Sequence, residues 1–162
     1  MFGHMGQPLL VDLSTLDLER VEIDIEGIRR CIPQRHEMEQ LDGIIRYDPV
    51  GEFIVGFKDV RSDEFWVRGH IPGRPLFPGV LMLEAAAQLS STYIGLTLKQ
   101  QDLFIGFGAA DRVKFRGTVA PGDRLVIAAK CQAMRSSAAV FDAQGLVAGK
   151  VVFEARVTGV RV

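Results

Sequence analysis

A chain of 162 residues is long enough to build one domain around its own apolar core. With 48% apolar and 24% charged residues it has the composition of an ordinary soluble globular domain, and a formal net charge of −1 gives no overall positive field to recruit nucleic acid, leaving only a local basic patch to consider. The two cysteines, Cys31 and Cys131, are far apart and lack metal-ligand spacing, so they read as reduced thiols in a reducing compartment such as the cytoplasm, with a disulfide between them as the alternative.

The N-terminus shows no basic region followed by an apolar run, so no signal peptide is expected. Gly3-His4-Met5 has the look of a cloning remnant, and His4 carries no weight. Residues 1–23 read as an N-terminal extension of mixed charge without a clear period, and residues 24–162 as a single domain. Asp24 can cap a short helix over 25–31 that Pro33 would end. Two strands, 44–47 and 52–57, flank the turn signal Asp48-Pro49-Val50-Gly51 and predict a hairpin.

Residues 69–79 hold three prolines and three glycines, which forbids helix or sheet ladder there. The next segment, 80–98, is apolar on almost every face, as an enclosed helix would be. Its length raises the question of a membrane span. Glu84, Gln88, Ser90, Ser91, Thr92 and Thr97 favour burial within protein over contact with lipid. Strands follow over 104–116, 125–134, 138–141 and 146–157, with turns at Pro121-Gly122-Asp123 and Gln144-Gly145. One long helix with a large antiparallel sheet predicts an α+β domain whose sheet wraps the helix.

Glu84 is the only charged residue between Gly79 and Lys99. A carboxylate in apolar surroundings is costly unless it has a partner or a task. Gln88, four residues on, shares its helical face and can bond it. A carboxylate recruited for chemistry and one merely favoured by the helix dipole at an exposed first turn are both compatible with this pattern. His70 sits in the special loop just before the helix and can exchange protons near neutral pH, or can simply satisfy a backbone carbonyl. Gly79 begins the helix, where amide N–H groups lack intrahelical acceptors and would polarise a carbonyl oxygen. A histidine, a carboxyl group and such a site within fifteen residues suit proton abstraction beside a carbonyl.

Arg112, Lys114 and Arg116 alternate with Val113 and Phe115, so a regular strand would put three cations on one face, either to meet an acidic partner or as a solvated surface. Gly106-Phe107-Gly108 lacks the strand–turn–helix context of a dinucleotide loop. There is no Gly-x-Ser-x-Gly elbow, and His4, His36 and His70 have no metal-ligand spacing.

Taken whole, Gly69-His70-Ile71-Pro72-Gly73-Arg74-Pro75-Leu76-Phe77-Pro78-Gly79-Val80-Leu81-Met82-Leu83-Glu84-Ala85-Ala86-Ala87-Gln88 resembles the signature of the 3-hydroxyacyl-[acyl-carrier-protein] dehydratases of bacterial fatty-acid synthesis, the FabZ type. The segments Asp24-Ile25-Glu26-Gly27-Ile28-Arg29, Ile32-Pro33-Gln34-Arg35, Lys58-Asp59-Val60, Phe115-Arg116 and Pro121-Gly122-Asp123 extend the resemblance over roughly residues 24–158. The resemblance implies a hot-dog fold, a curved antiparallel sheet around one long helix. It also implies obligate homodimers, often assembled as trimers of dimers, in which histidine and glutamate of one site come from different subunits. On this reading His70 takes the α-proton of the thioester, Glu84 protonates the departing β-hydroxyl, the Gly79 amide polarises the thioester carbonyl and Gln88 orients Glu84. No metal or redox cofactor is implied. The acyl chain would arrive on the phosphopantetheine of acyl carrier protein, with Arg112, Lys114 and Arg116 as the docking cations.

Related dehydratase–isomerases carry aspartate at the position of Glu84 and usually cysteine at that of Val80, so the resemblance favours dehydration without isomerisation. Three departures bear on substrate range: Ile71 replaces the usual phenylalanine, Gln34 a histidine, and His36-Glu37-Met38-Glu39-Gln40 an aromatic-aliphatic stretch. A non-catalytic acyl-binding module and an acyl thioesterase of the same fold are the alternative readings.

Overall fold

The computed structural model describes residues 7–100 and 103–162, and Gly3-His4-Met5 lies outside the described residues. Asp24 does cap the first helix. Its carboxylate accepts the Gly27 N–H at 2.9 Å, and α1 runs over Ile25–Arg29. The helix stops short of Cys31 because its end tightens: the Cys31 N–H donates to the Ile28 carbonyl, three residues back. Strands β1 (Gly43–Asp48) and β2 (Phe53–Asp59) form the expected hairpin. The Asp48 carboxylate closes its turn, accepting from the Val50 and Gly51 N–H groups at 3.1 and 2.8 Å.

After the irregular Gly/Pro-rich segment comes α2 (Gly79–Leu98), and then β3 (Ile105–Phe115), β4 (Arg124–Met134), β5 (Ala138–Val147) and β6 (Lys150–Arg161). Gln144-Gly145 is not the turn that its composition suggests. Both residues lie inside β5, and the chain reverses at Ala148-Gly149, with φ of 49° and 77°. A two-residue loop with both φ positive has the twist that joins antiparallel strands without splaying them, and Val147 pairs directly with Lys150 across it. Gly145 instead marks a register shift in the β5–β6 ladder. The strands expected over 138–141 and 146–157 are therefore the single hairpin arms 138–147 and 150–161.

Among the described residues all five strand pairs are antiparallel, in the order β1-β2-β4-β5-β6-β3, with β1 and β3 at the edges. Helix α2 lies against the inner face, burying Met82, Ala85, Ala86, Leu89 and Ile94 among Ile54, Leu125, Ile127, Phe141 and Phe153. Each large apolar side chain removed from water in this way contributes about 1.5–3 kcal/mol. Gly56 of β2 permits a close approach of the helix, since a β-carbon there would stand 2.9 Å from Leu89 Cδ1. No helix among the described residues is long and apolar enough to cross a membrane.

The outer face of the sheet is also covered. Strand β4 is buried at consecutive positions from Leu125 to Ala129, where a half-exposed strand would alternate. Leu125, Ile127 and Ala129 face α2, whereas Val126 and Ala128 join Ile45, Val55 and Phe57 in a second apolar cluster. Leu10, Leu13, Leu16 and Leu18 pack on that cluster. The N-terminal segment thus has a task that its sequence did not reveal, because irregular chain shows no period. Gln144 ties it down from β5: its Oε1 accepts the Leu10 N–H and its Nε2 donates to the Pro8 carbonyl, both at 2.9 Å. Replacement of buried Gln144 by leucine should therefore cost about 1–3 kcal/mol of stability. Urea unfolding measures the loss, and faster hydrogen exchange at the Leu10 amide locates it.

Candidate active site

The Gly/Pro-rich segment holds His70 by two bonds. Its backbone N–H donates to the Trp66 carbonyl at 2.8 Å, and its Nδ1 lies 2.9 Å from the Leu76 carbonyl oxygen. A carbonyl can only accept, so Nδ1 carries the hydrogen in this contact. In the neutral ring Nε2 then bears the free lone pair. The side chain is exposed, so Nε2 is open to a substrate. Satisfying a carbonyl and acting as a base are here one arrangement, since the first fixes the tautomer needed for the second.

Glu84 lies in the second turn of α2 and is half-buried, so it is not a surface residue of the first turn. Its Oε1 accepts from Gln88 Nε2 at 2.8 Å. Gln88 is 2% exposed and fully engaged: Nε2 also donates to the Met38 carbonyl at 2.6 Å, and Oε1 accepts the Gln40 N–H at 2.9 Å. The backbone of the 36–40 segment therefore holds Gln88 and, through it, Glu84. The groups that segment contributes here are main-chain groups, a carbonyl and an N–H, independent of the side chains by which the resemblance marks it as different. Arg29 fixes the segment from outside, with Nε and Nη2 donating to the Glu39 carboxylate at 2.6 and 2.9 Å. That guanidinium holds the Glu39 carboxyl below the usual carboxylate range against the opposing effect of burial.

Gly79 opens α2, and neither its N–H nor that of Val80 has a protein acceptor among the described residues. Two free donors at the start of a 20-residue helix can polarise a carbonyl oxygen. Packing also favours glycine here, because a β-carbon would stand 2.8 Å from the Phe115 ring and push it aside. Glu84 lines a cavity of about 110 Å³ between α2, β3 and β6, together with Gln34, Gln88, Ser91, Phe107 and Thr158. His70 does not line it, and no hydrogen bond or ion pair joins His70 to Glu84 within the chain among the described residues.

The three cations gather around one side of the sheet, but not by simple alternation. Strand β3 shifts register between Asp111 and Lys114, and Arg112 takes φ of 53° in that bulge. Arg112 and Lys114 line an open outer groove of about 210 Å³ beside Asp142, Glu154 and Arg156. Arg116, just past the strand, is ion-paired with Glu154. Asp142 takes Arg156 in a two-bond pair at 2.7 and 2.9 Å. With these carboxylates paired, Arg112 and Lys114 are the positive surplus among the described residues. This groove is larger than the Glu84 cavity, but it holds neither His70 nor Glu84.

The sequence did not disclose the Leu76 carbonyl, the Met38 carbonyl or the Gln40 N–H, because main-chain groups leave no mark on residue identity. Gln34 was visible only as a substitution. The structure gives it a place in the Glu84 cavity wall, with its side-chain oxygen buried and without a partner among the described residues.

The FabA-like domain family matches residues 32–156. The 3-hydroxyacyl-[acyl-carrier-protein] dehydratase FabZ of Desulfotalea psychrophila is 37% identical over 136 residues, covering 83% of this chain and 90% of its own. The protein of the same name from Geobacter metallireducens is 37% identical over 134 residues, covering 82% and 89%. Among solved structures, the dehydratase heterocomplex ApeI:P from Xenorhabdus doucetiae superposes with a TM-score of 0.72 at 16% identity, over 83% of this chain and 90% of that one. A mutant thioesterase, PA1618 of Pseudomonas aeruginosa, reaches a TM-score of 0.57 at 19% identity over 74% and 81%. These distant likenesses carry the fold alone, which is the hot-dog fold, six antiparallel strands about one long helix. With the family match spanning most of the chain and FabZ proteins this similar along nearly their whole length, the chain belongs to the FabA-like family.

Proposed function

We propose that the protein is a 3-hydroxyacyl-[acyl-carrier-protein] dehydratase that removes water from (3R)-hydroxyacyl thioesters to give trans-2-enoyl thioesters, in fatty-acid or related acyl-chain synthesis. The observation that carries this reading is the state of His70: its Nδ1–H is committed to the Leu76 carbonyl and its Nε2 is left free and exposed. The similarity to proteins named as FabZ dehydratases supplies the substrate class. In this reading His70 Nε2 takes the proton from the α-carbon. The electron pair of that C–H bond becomes the α,β double bond, and the β C–O bond breaks. The hydroxyl leaves as water with the proton that Glu84 delivers. A proton returned from His70 to Glu84 resets the pair. The Gly79 N–H polarises the thioester carbonyl, which acidifies the α-proton. Gln88 holds Glu84 in line. No step calls for a metal or redox cofactor, and the setting proposed is the cytoplasm.

The separation of His70 from Glu84 within one chain supports a site shared between two copies. Strand β3 supports the same reading, since it is a sheet edge that is exposed from Phe107 to Arg112. A bare edge with Phe104 and Phe107 half-exposed and Val80 70% exposed nearby is a surface for a second copy. Homodimers, and trimers of dimers built from them, are the assemblies proposed. The carrier protein is acidic in this proposal and meets Arg112, Lys114 and Arg116.

These assignments are tested by mutation of the base, product analysis, subunit mixing and charge reversal. His70→Ala should lower turnover of a 3-hydroxybutyryl thioester by about 10²- to 10⁴-fold, the usual contribution of a general base, with its circular dichroism and melting temperature unchanged. Followed by enoyl-thioester absorbance, the wild type should form the unsaturated product and release no free thiol, which separates dehydration from thioester hydrolysis. Mixing inactive His70→Ala with inactive Glu84→Ala protein under conditions of subunit exchange should restore activity, because one of the two sites in each mixed dimer is then intact. Verified exchange without recovery rejects the shared site. Reversing charge at Arg112 and Lys114 together should raise KM for carrier-bound substrate and leave a small pantetheine thioester unaffected. The carrier-bound reaction should also weaken with added salt, since exposed charges are screened beyond about 8–10 Å at physiological ionic strength.

A further inference from the structure

Lysine is seldom enclosed, because an ammonium withdrawn from water loses its hydration. Lys58 projects from β2 to the inner side of the sheet and is 1% exposed. Its Nζ lies 3.1 Å from Glu64 Oε2, and both side chains are almost wholly covered. The same ammonium stands 5.7 Å from the centroid of the Phe77 ring. Glu64 and Phe77 lie towards opposite ends of the irregular segment between β2 and α2, and His70 lies between them. One buried cation therefore holds both arms of the loop that carries His70.

The connection from this cation to the imidazole is short. Glu64 Oε1 accepts the Arg61 N–H at 2.9 Å, and Oε2 accepts the Trp66 indole N–H at 3.0 Å. Burial pushes the Glu64 carboxyl up, but these donors and the Lys58 ammonium outweigh it and hold it below the ordinary value, charged and paired. Trp66 is buried edge-on against Phe77 with ring centroids 5.4 Å apart. The Trp66 carbonyl takes the His70 N–H, and Leu76, next to Phe77, takes the imidazole Nδ1–H. The Phe77 N–H in turn donates to the Val119 carbonyl at 2.7 Å, which ties this arm to the chain that leads into β4. Each of the two bonds that orient His70 thus ends on Trp66 itself or on the neighbour of Phe77.

We propose that Lys58 and Glu64 are positioning residues for the dehydration: the buried pair, acting through Trp66 and Phe77, sets where His70 Nε2 stands relative to the substrate's α-carbon. The proposal rests on His70 being the base. Stability alone does not account for the pair, because an apolar replacement of a buried ion pair is often neutral or better. What the ions supply and methylenes do not is direction, a bonded carboxylate that fixes the Trp66 indole and a cation over the face of Phe77.

The test uses the full chain, with a small 3-hydroxybutyryl pantetheine thioester as substrate. The double variant Lys58→Met/Glu64→Gln leaves no uncompensated buried charge, and Trp66→Phe removes the indole N–H while keeping a ring against Phe77. Both should retain the fold by melting temperature and keep KM within about twofold, yet lose kcat by about 10- to 100-fold, as sub-ångström misplacement of a catalytic group does. The ¹⁵N resonances of the His70 ring should shift or broaden, a change that a purely structural role would not produce in a folded variant. Wild-type kcat and unchanged His70 resonances in the double variant overturn the proposal. If the double variant does not fold, Trp66→Phe decides: a fall in kcat at constant KM upholds positioning, and unchanged kcat overturns it. His70→Ala is measured alongside. Activity retained there removes the base assignment itself, whereas loss there with wild-type kcat in the double variant overturns only the positioning role.

Discussion

Helix α2 is apolar or small-sided on nearly every face, and that surface has to be kept from water. The inner face of the sheet covers the stripe formed by Met82, Ala85, Ala86, Leu89 and Ile94. This burial sets the order of everything around it. Gly56 leaves room where Leu89 presses on β2, and Gly79 where Phe115 packs against the start of the helix. One chain supplies one sheet, which leaves Val80 and the β3 edge uncovered. The proposed dimer follows from the same constraint that builds the monomer.

The polar groups of the proposed site are arranged by what that packing leaves available. Glu84 avoids the cost of an unpaired carboxylate inside the fold by lying half-exposed at a cavity wall with Gln88 as its partner. Gln88 is itself buried, and it is held only because the 36–40 backbone presents a carbonyl and an N–H to its two amide ends. On the other side, His70 stands on a segment with no regular ladder, so its orientation depends on the buried ion pair and the aromatic pair beneath it. Rigid chemistry on an irregular loop needs such an internal frame. The two halves of the site are thus secured by different means, a saturated amide under the glutamate and a caged ammonium under the histidine.

The outer face shows the same economy of surface. A sheet that is apolar on both sides needs two covers, and the protein finds the second in its N-terminal residues. Their leucines have no helical or strand spacing because they need none. They follow the contour of Ile45, Val55, Phe57 and Val126, and their backbone groups are satisfied in part by Gln144. That glutamine, read as a turn residue, owes its place to this long-range bond.

Several features were determined by the sequence itself. Asp24 and Asp48 act through N–H groups two or three residues away, so their cap and turn are local facts. The prolines and glycines before Gly79 exclude regular structure by their own dihedral limits, and the apolar run after it requires an enclosed helix. The Gly69–Gln88 signature placed the chain beside its family, and with that came the wrapped sheet. Tertiary structure alone decided the rest. The β5–β6 turn moved to Ala148-Gly149 because pairing with β4 and β6 holds Gln144 and Gly145 in the ladder against their own turn preference. Arg112 left the regular alternation because β3 bulges against β6. The hydrogen on His70 Nδ1, the bonds that saturate Gln88 and the burial of Lys58 all depend on groups brought together from distant parts of the chain. Contacts of that kind leave no period and no local propensity, and many of them end on main-chain atoms common to every residue, so they exist for the reader only once the chain has folded.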